Sequence, residues 1–195
     1  LLASVAAPAL AQVDVVTDIP PVQSLVATVM GDLGAPSVLL PPGSDAHSFQ
    51  LRPSQARTIS DADLVVWVGP EMTPWLDGVL DGIGGSGARL GLLAAEGVTL
   101  RDFPEGHDDH GHDDHGHDHG HDHGHEGHSH SGTDPHAWLD PANASAWLTA
   151  IAAELSRIDP PNAETYAANA AAGRESIAAL NAEIAAQLAP VKDHP

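Results

Sequence analysis

The run Asp63-Leu64-Val65-Val66-Trp67-Val68 constrains the fold more than any other stretch of this chain. Five apolar residues in succession, of strand length and closed by Gly69-Pro70, lack the alternation of a strand with one wet face. They predict a strand covered on both faces, as in a parallel sheet flanked by helices. The neighbouring segments fit that architecture. Val13 to Thr17 is a β-branched strand signal, and Pro20 to Met30 carries Val22, Leu25, Val26, Val29 and Met30 at helical spacing before Gly31. Ser37 to Leu40 reads as the next strand and ends at Pro41-Pro42-Gly43, which opens a polar loop from Ser44 to Gln50. A helix follows from Arg52-Pro53-Ser54 to about Ser60, with Ala56 and Ile59 inward. Glu71 to Ile83 reads as another helix, with Trp75, Leu76, Val79 and Leu80 inward, and Arg89 to Leu93 as a weak last strand. Strand and helix alternate, so the expected class is α/β with a mainly parallel sheet.

That pattern stops at residues 104 to 133. From Glu105 to Asp134 the chain runs EGHDDHGHDDHGHDHGHDHGHEGHSHSGTD, with eleven histidines, nine carboxylates and neither Lys nor Arg. The histidines are His107, His110, His112, His115, His117, His119, His121, His123, His125, His128 and His130. Nothing in this tract can build a core, so a flexible loop is expected. Neutral imidazole is the commonest protein ligand for borderline transition metals, and adjacent carboxylates favour a dication. The composition therefore predicts accessory metal binding. An affinity tag is a contiguous terminal run, whereas this tract is interrupted and internal.

After the tract, Asp134 to Pro141 reads as a turn. Ala142 to Ile158 reads as a helix with Ala146, Trp147, Ala150, Ile151 and Leu155 on one face. Asp159-Pro160-Pro161 closes it, and a long Ala-rich helix is expected over 161–189, ending at Pro190. At the other end, LLASVAAPALAQ resembles the close of a secretory signal, with Ala9-Leu10-Ala11 as a small-x-small cleavage site. The expectation is an exported, periplasmic protein whose sequence here is cut at both ends.

Charge and cysteine content narrow the partners. The net charge is −20, and the nine acids of the tract leave −11 on the remainder, which disfavours nucleic acid and anionic lipid. With no Cys, a metal centre must use His, Asp, Glu and water. Outside the tract only His47, His136 and His194 remain. His47 lies in the loop after the second strand and His136 in the turn after the tract, on the side of a parallel sheet where ligands bind. His194, beyond the long helix, reads as a loop residue. Asp45, Asp134 and Asp140 are either partners for ligating rings or acids of caps and turns. Glu71 reads as a helix-terminus charge, and Trp67, Trp75, Trp138 and Trp147 as core or cleft wall. No HExxH or comparable pair occurs, so an enzyme is not expected.

Several blocks together carry a resemblance: Gly43-Ser44-Asp45-Ala46-His47-Ser48-Phe49, Leu51-Arg52-Pro53-Ser54, Ala62 to Met72, the acidic His-rich insertion, and Asp134-Pro135-His136-Ala137-Trp138-Leu139-Asp140-Pro141. In order and spacing this set resembles the periplasmic zinc-binding receptors of bacterial ABC importers, the ZnuA type of metal solute-binding protein. The resemblance implies two (β/α) lobes joined by a rigid helix, with a metal in the cleft. By it, residues 12–160 form the N-terminal lobe, 161–189 the inter-lobe helix, and 190–195 the start of a C-terminal lobe missing from this chain. It implies His47 and His136 as metal ligands, Zn²⁺ as the ion with Mn²⁺ less favoured, an ABC transporter permease as partner, and a monomer. Some zinc members place Glu before the first ligand His, where this chain has Ala46. A metal buffer acting through the tract alone is the competing expectation.

Overall fold

The computed structural model describes residues 12–83, 85–103 and 132–192. Four strands, β1 (Val15–Thr17), β2 (Ser37–Val38), β3 (Leu64–Trp67) and β4 (Ala88–Gly91), form one parallel sheet in the order β2-β1-β3-β4. Its register pairs Val16 with Ser37 on one side of β1 and with Val65 on the other, and Val66 with Leu90. All four residues of β3 are buried, as the continuous apolar run requires.

Five α-helices connect and cover the sheet: α1 (Pro20–Met30), α2 (Pro53–Asp61), α3 (Pro74–Ile83), α4 (Pro141–Ile158) and α5 (Ala163–Leu188). Helices α1, α4 and α5 pack on one another, and α2 packs on α3 beside Val65. Each of the first four begins with Pro in its first turn, where the missing N–H costs nothing. Helix α1 ends at Gly31, whose φ of +54° is a glycine conformation; a Cβ there would lie 2.7 Å from Nδ2 of Asn169. That Asn169 amide donates to the Val29 carbonyl at 3.0 Å, tying α5 to α1.

Several boundaries differ from the sequence expectations. Glu71 is not at a helix terminus, because Gly69 to Thr73 turn back on the Gly69 carbonyl, which accepts from both Met72 and Thr73 N–H. Helix α3 waits for Pro74. The fourth strand starts and ends earlier than expected, and Leu92–Ala94 forms a 3-10 turn whose Leu92 and Leu93 still enter the core. On α4 the buried face is Asn143, Trp147, Leu148, Ile151, Ala152 and Leu155, rotated away from Ala146 and Ala150, which are half-buried. Leu148 on that face lies against Gly173 of α5. The expected helix over 161–189 is a 3-10 turn (Pro160–Asn162), then α5, then a second 3-10 turn (Ala189–Val191). Leu180, Ile184 and Leu188 on α5 are exposed.

Among the described residues no helix is long and apolar enough to cross a membrane. The signal segment at residues 1–11, the eleven tract histidines and His194 lie outside the described residues. The tract expected over 104–133 loses its last two residues to paired structure. Thr133 bridges antiparallel to Asp102, Phe103 N–H donates to the Gly132 carbonyl at 3.0 Å, and Asp134 N–H donates to the Arg101 carbonyl at 2.7 Å.

Candidate metal centre

A parallel sheet in the order 2-1-3-4 reverses its winding between β1 and β3, and the crevice at the carboxyl ends of its strands is where such folds bind ligands. The loop after β2 brings His47 there, and the segment after the bridged strands brings His136. Their ring centres are 5.9 Å apart with an interplanar angle of 70°. Two imidazoles sharing a tetrahedral ion, each nitrogen about 2.0–2.1 Å from it, have centres roughly 5 Å apart. The two rings, far apart in sequence, thus stand within about 1 Å of a shared-ion separation.

Both histidines are held by the same local device. Asp45 Oδ1 accepts from His47 N–H, and Asp134 Oδ1 accepts from His136 N–H, each at 2.9 Å. An Asp two residues before each His closes an Asx turn that aims the following side chain. This repeated Asp-x-His spacing was the sequence signal for how the rings are held. The two acids then diverge. Asp134 Oδ1 also lies 2.7 Å from Nδ1 of His136. A carboxylate only accepts, so Nδ1 carries the proton and Nε2 keeps its lone pair free for a metal. Asp45 spends its second oxygen on the Ser48 hydroxyl at 2.5 Å, so of its two possible roles it takes the turn. Asp140 caps α4 by accepting from Ala142 N–H at 2.9 Å and is likewise not a ring partner.

These contacts set the electrostatics. The Asp45 carboxyl is held below the usual carboxylate range by the Ser48 hydroxyl and then by the His47 N–H. Asp134 is held low chiefly by the His136 N–H, with the His136 ring and Arg101 adding to it. Both acids stay ionised beside the two rings, which favours a dication.

Two buried polar residues behind the site had no recognisable sequence signal. Asn143, on the inner face of α4, accepts from Thr99 N–H at 2.7 Å and donates to the carbonyls of Thr99 and Ala137, each at 3.0 Å. It joins the chain entering the bridged strands to the residue after His136. Asp18, fully buried at the end of β1, accepts from Ile19 N–H and Val68 N–H at 2.8 and 2.9 Å, and from the Thr73 hydroxyl at 3.4 Å. It ties the ends of β1 and β3 across the switch point. Burial pushes its carboxyl up from 3.8 to about 6 despite those donors. Asp18 precedes the N-cap of α1, which is Ile19.

The four tryptophans, read from sequence as core or cleft wall without distinction, differ in burial. Trp67 and Trp147 are buried; Trp75 and Trp138 are half-buried at the crevice side. A groove of about 350 Å³ opens beside His136, lined among others by Thr99, Arg101, Asp134 and Asn143. Among the described residues no three His, Cys, Asp or Glu are grouped to hold a metal, and the two imidazoles of His47 and His136 are the pair that those residues bring together.

Residues 15–195 match the family described as zinc-uptake complex component A, periplasmic. The chain is 51% identical over 202 residues to the high-affinity zinc uptake system protein ZnuA of Paracoccus denitrificans, covering 98% of this chain and 62% of that protein. It is 38% identical to the protein of the same name from Brucella abortus, covering 93% of this chain and 60% of the relative. The crystal structure of a ZnuA deletion mutant with zinc bound superposes with a TM-score of 0.73 at 29% identity, over 92% of this chain and 60% of that one. The chain therefore spans about 60% of the length of these ZnuA relatives.

Proposed function

The chain belongs to the family of zinc-uptake complex component A, periplasmic, and from that premise we propose that it is the receptor portion that captures Zn²⁺ at His47 and His136 and passes it to an ABC permease. The observation that carries this is the pair of rings 5.9 Å apart, one with its Nε2 left free by Asp134. Imidazole suits Zn²⁺ better than it suits hard cations such as Mn²⁺ or Mg²⁺. Remaining coordination positions fall to water or to residues beyond this chain. Residues 12–160 act as one lobe and 161–189 as the helix leading to a second.

Chelator-competition titrations of the full-length protein test the ion. Zn²⁺ is expected to bind tighter than Mn²⁺ by about two orders of magnitude or more, following the divalent-metal affinity order. Equal or tighter Mn²⁺ binding overturns the zinc assignment. Zinc affinity is also expected to fall steadily as the solution is acidified, since imidazole must be deprotonated to ligate. Delivery is tested by zinc-limited growth of cells lacking the gene: the wild-type gene restores growth and a His47→Ala/His136→Ala double variant does not. Growth restored by that double variant would point instead to a buffer acting through the tract.

In this proposal the tract is an accessory that raises the local zinc concentration at the site, as a tethered second binder does. The paired segments Arg101–Phe103 and Gly132–Asp134 close its base. Excising 104–131 and joining Phe103 to Gly132 by a short turn is expected to leave the tight zinc ion bound and to remove several weaker ones. Isothermal titration of that variant gives both stoichiometry and affinity, and loss of the tight ion would make tract histidines primary ligands.

A further inference from the structure

His47 is the less protected of the two rings. It stands exposed on the loop Ser44–Gln50, from which only Ala46 and Phe49 pack against the core. Asp45 closes the loop on itself by accepting from His47 N–H and Ser48. Among the hydrogen bonds of the described residues, one reaches this loop from another part of the fold. Trp75 Nε1–H donates to the Ala46 carbonyl at 2.8 Å, and the same indole packs on Phe49 with ring centres 5.2 Å apart.

The position of that bond matters more than its strength. The Ala46 carbonyl and the His47 N–H belong to one peptide unit, which is planar and rigid. Trp75 holds its oxygen and Asp45 Oδ1 holds its N–H at 2.9 Å. A plane gripped at both ends fixes where the His47 Cα lies and the direction from which its side chain departs. Asp45 is local and moves with the loop, so it sets the turn's shape without setting its place. Trp75 sits at the second residue of α3, whose Leu76 and Leu80 are buried and whose entry at Thr73 is bonded to Asp18. It therefore refers the loop to the frame of the sheet.

We propose that Trp75 is a positioning residue for the metal site, holding His47 opposite His136 by gripping the carbonyl that precedes it. The proposal rests on His47 being a ligand, and it adds a residue whose indole never touches the ion. A ligand poised on a loop costs entropy to immobilise when metal binds, and a pre-set peptide plane removes part of that cost.

Trp75→Phe is the discriminating variant, because it removes the indole donor while keeping a smaller aromatic ring against Phe49. It is expected to weaken the tight zinc ion about two- to tenfold, the range for one net hydrogen bond. Trp147→Phe, a buried change on α4 remote from the loop, serves as the control and should leave zinc affinity unchanged whatever it does to stability. In ¹⁵N-labelled wild-type protein the Trp75 indole N–H resonance, identified by its loss in Trp75→Phe, should shift on zinc addition. Wild-type affinity in Trp75→Phe, with His47→Ala still losing zinc, overturns the positioning role alone. Equal weakening by Trp75→Phe and Trp147→Phe also overturns it, as the effect would then be general destabilisation. Undiminished affinity in His47→Ala removes the ligand and its positioning residue together.

Discussion

Replacing His136 by Ala in the full-length protein is expected to weaken the tightest zinc ion by about a hundred- to a thousandfold. Structural zinc sites bind with about 10–16 kcal/mol, which over four ligands is about 2.5–4 kcal/mol each. His47→Ala should fall in the same range, because the two rings are the only nitrogen donors that the described residues bring together. Asp134→Asn makes a graded comparison. The amide can still accept from His136 N–H, but it no longer supplies the charge that favours the Nδ1-protonated ring, and a loss of about ten- to a hundredfold is expected. Competition against a chelator of known affinity reads all three. An unchanged tightest dissociation constant in both alanine variants would take these residues out of the site.

The second large effect concerns Asp18 and is read in the metal-free protein. Burial raises its carboxyl from 3.8 to about 6, so the folded protein holds this proton more tightly than the unfolded chain does. The stabilising contribution of that proton is complete below about pH 3.8 and is lost as pH rises through about 6. Wild-type protein should therefore lose about 2–3 kcal/mol relative to Asp18→Asn between pH 4 and pH 8. Denaturant melts of the two proteins across that interval measure the difference directly, whatever their offset at any one pH. Parallel profiles would mean that the three donors from Ile19, Val68 and Thr73 compensate burial fully. The acid is nonetheless useful where it stands, since one carboxylate joins the ends of β1 and β3 to the turn that leads into α3 and Trp75.

Much of this arrangement is local in origin and could be read from the chain. The apolar run at Leu64 to Val68 announces a doubly covered strand because each of its side chains must leave water, whichever face it occupies. Pro53 marks a helix start because a ring without an N–H fits only the first turn, whereas the apolar pattern alone starts α3 three residues too early, at Glu71 and not Pro74. The Asp-x-His turns at Asp45 and Asp134 are likewise written within three residues each. The expectation that the tract binds metal rests on composition alone, since a segment of His, Asp and Gly has nothing to bury, and its histidines lie outside the described residues.

What needed the folded chain is every relation between segments that are distant in sequence. His47 and His136 face one another because the strand order β2-β1-β3-β4 gathers several loops at one edge, and no spacing in the chain encodes that order. Asp18 and Asn143 carry ordinary cap-forming side chains, which in isolation favour solvent and nearby backbone. Only packing turned them inward, where removal from water obliges each to find partners on other strands and loops. Trp75 looked like another core aromatic, and its ring does pack on Phe49. Its indole N–H met the Ala46 carbonyl because α3 and the loop after β2 converge at the same end of the sheet. Sequence thus determined which residues form strands, helices, turns and donors, through rules that act over a few residues. The tertiary structure decided which of them meet, because burial and hydrogen-bond satisfaction act between surfaces that only the completed sheet brings together.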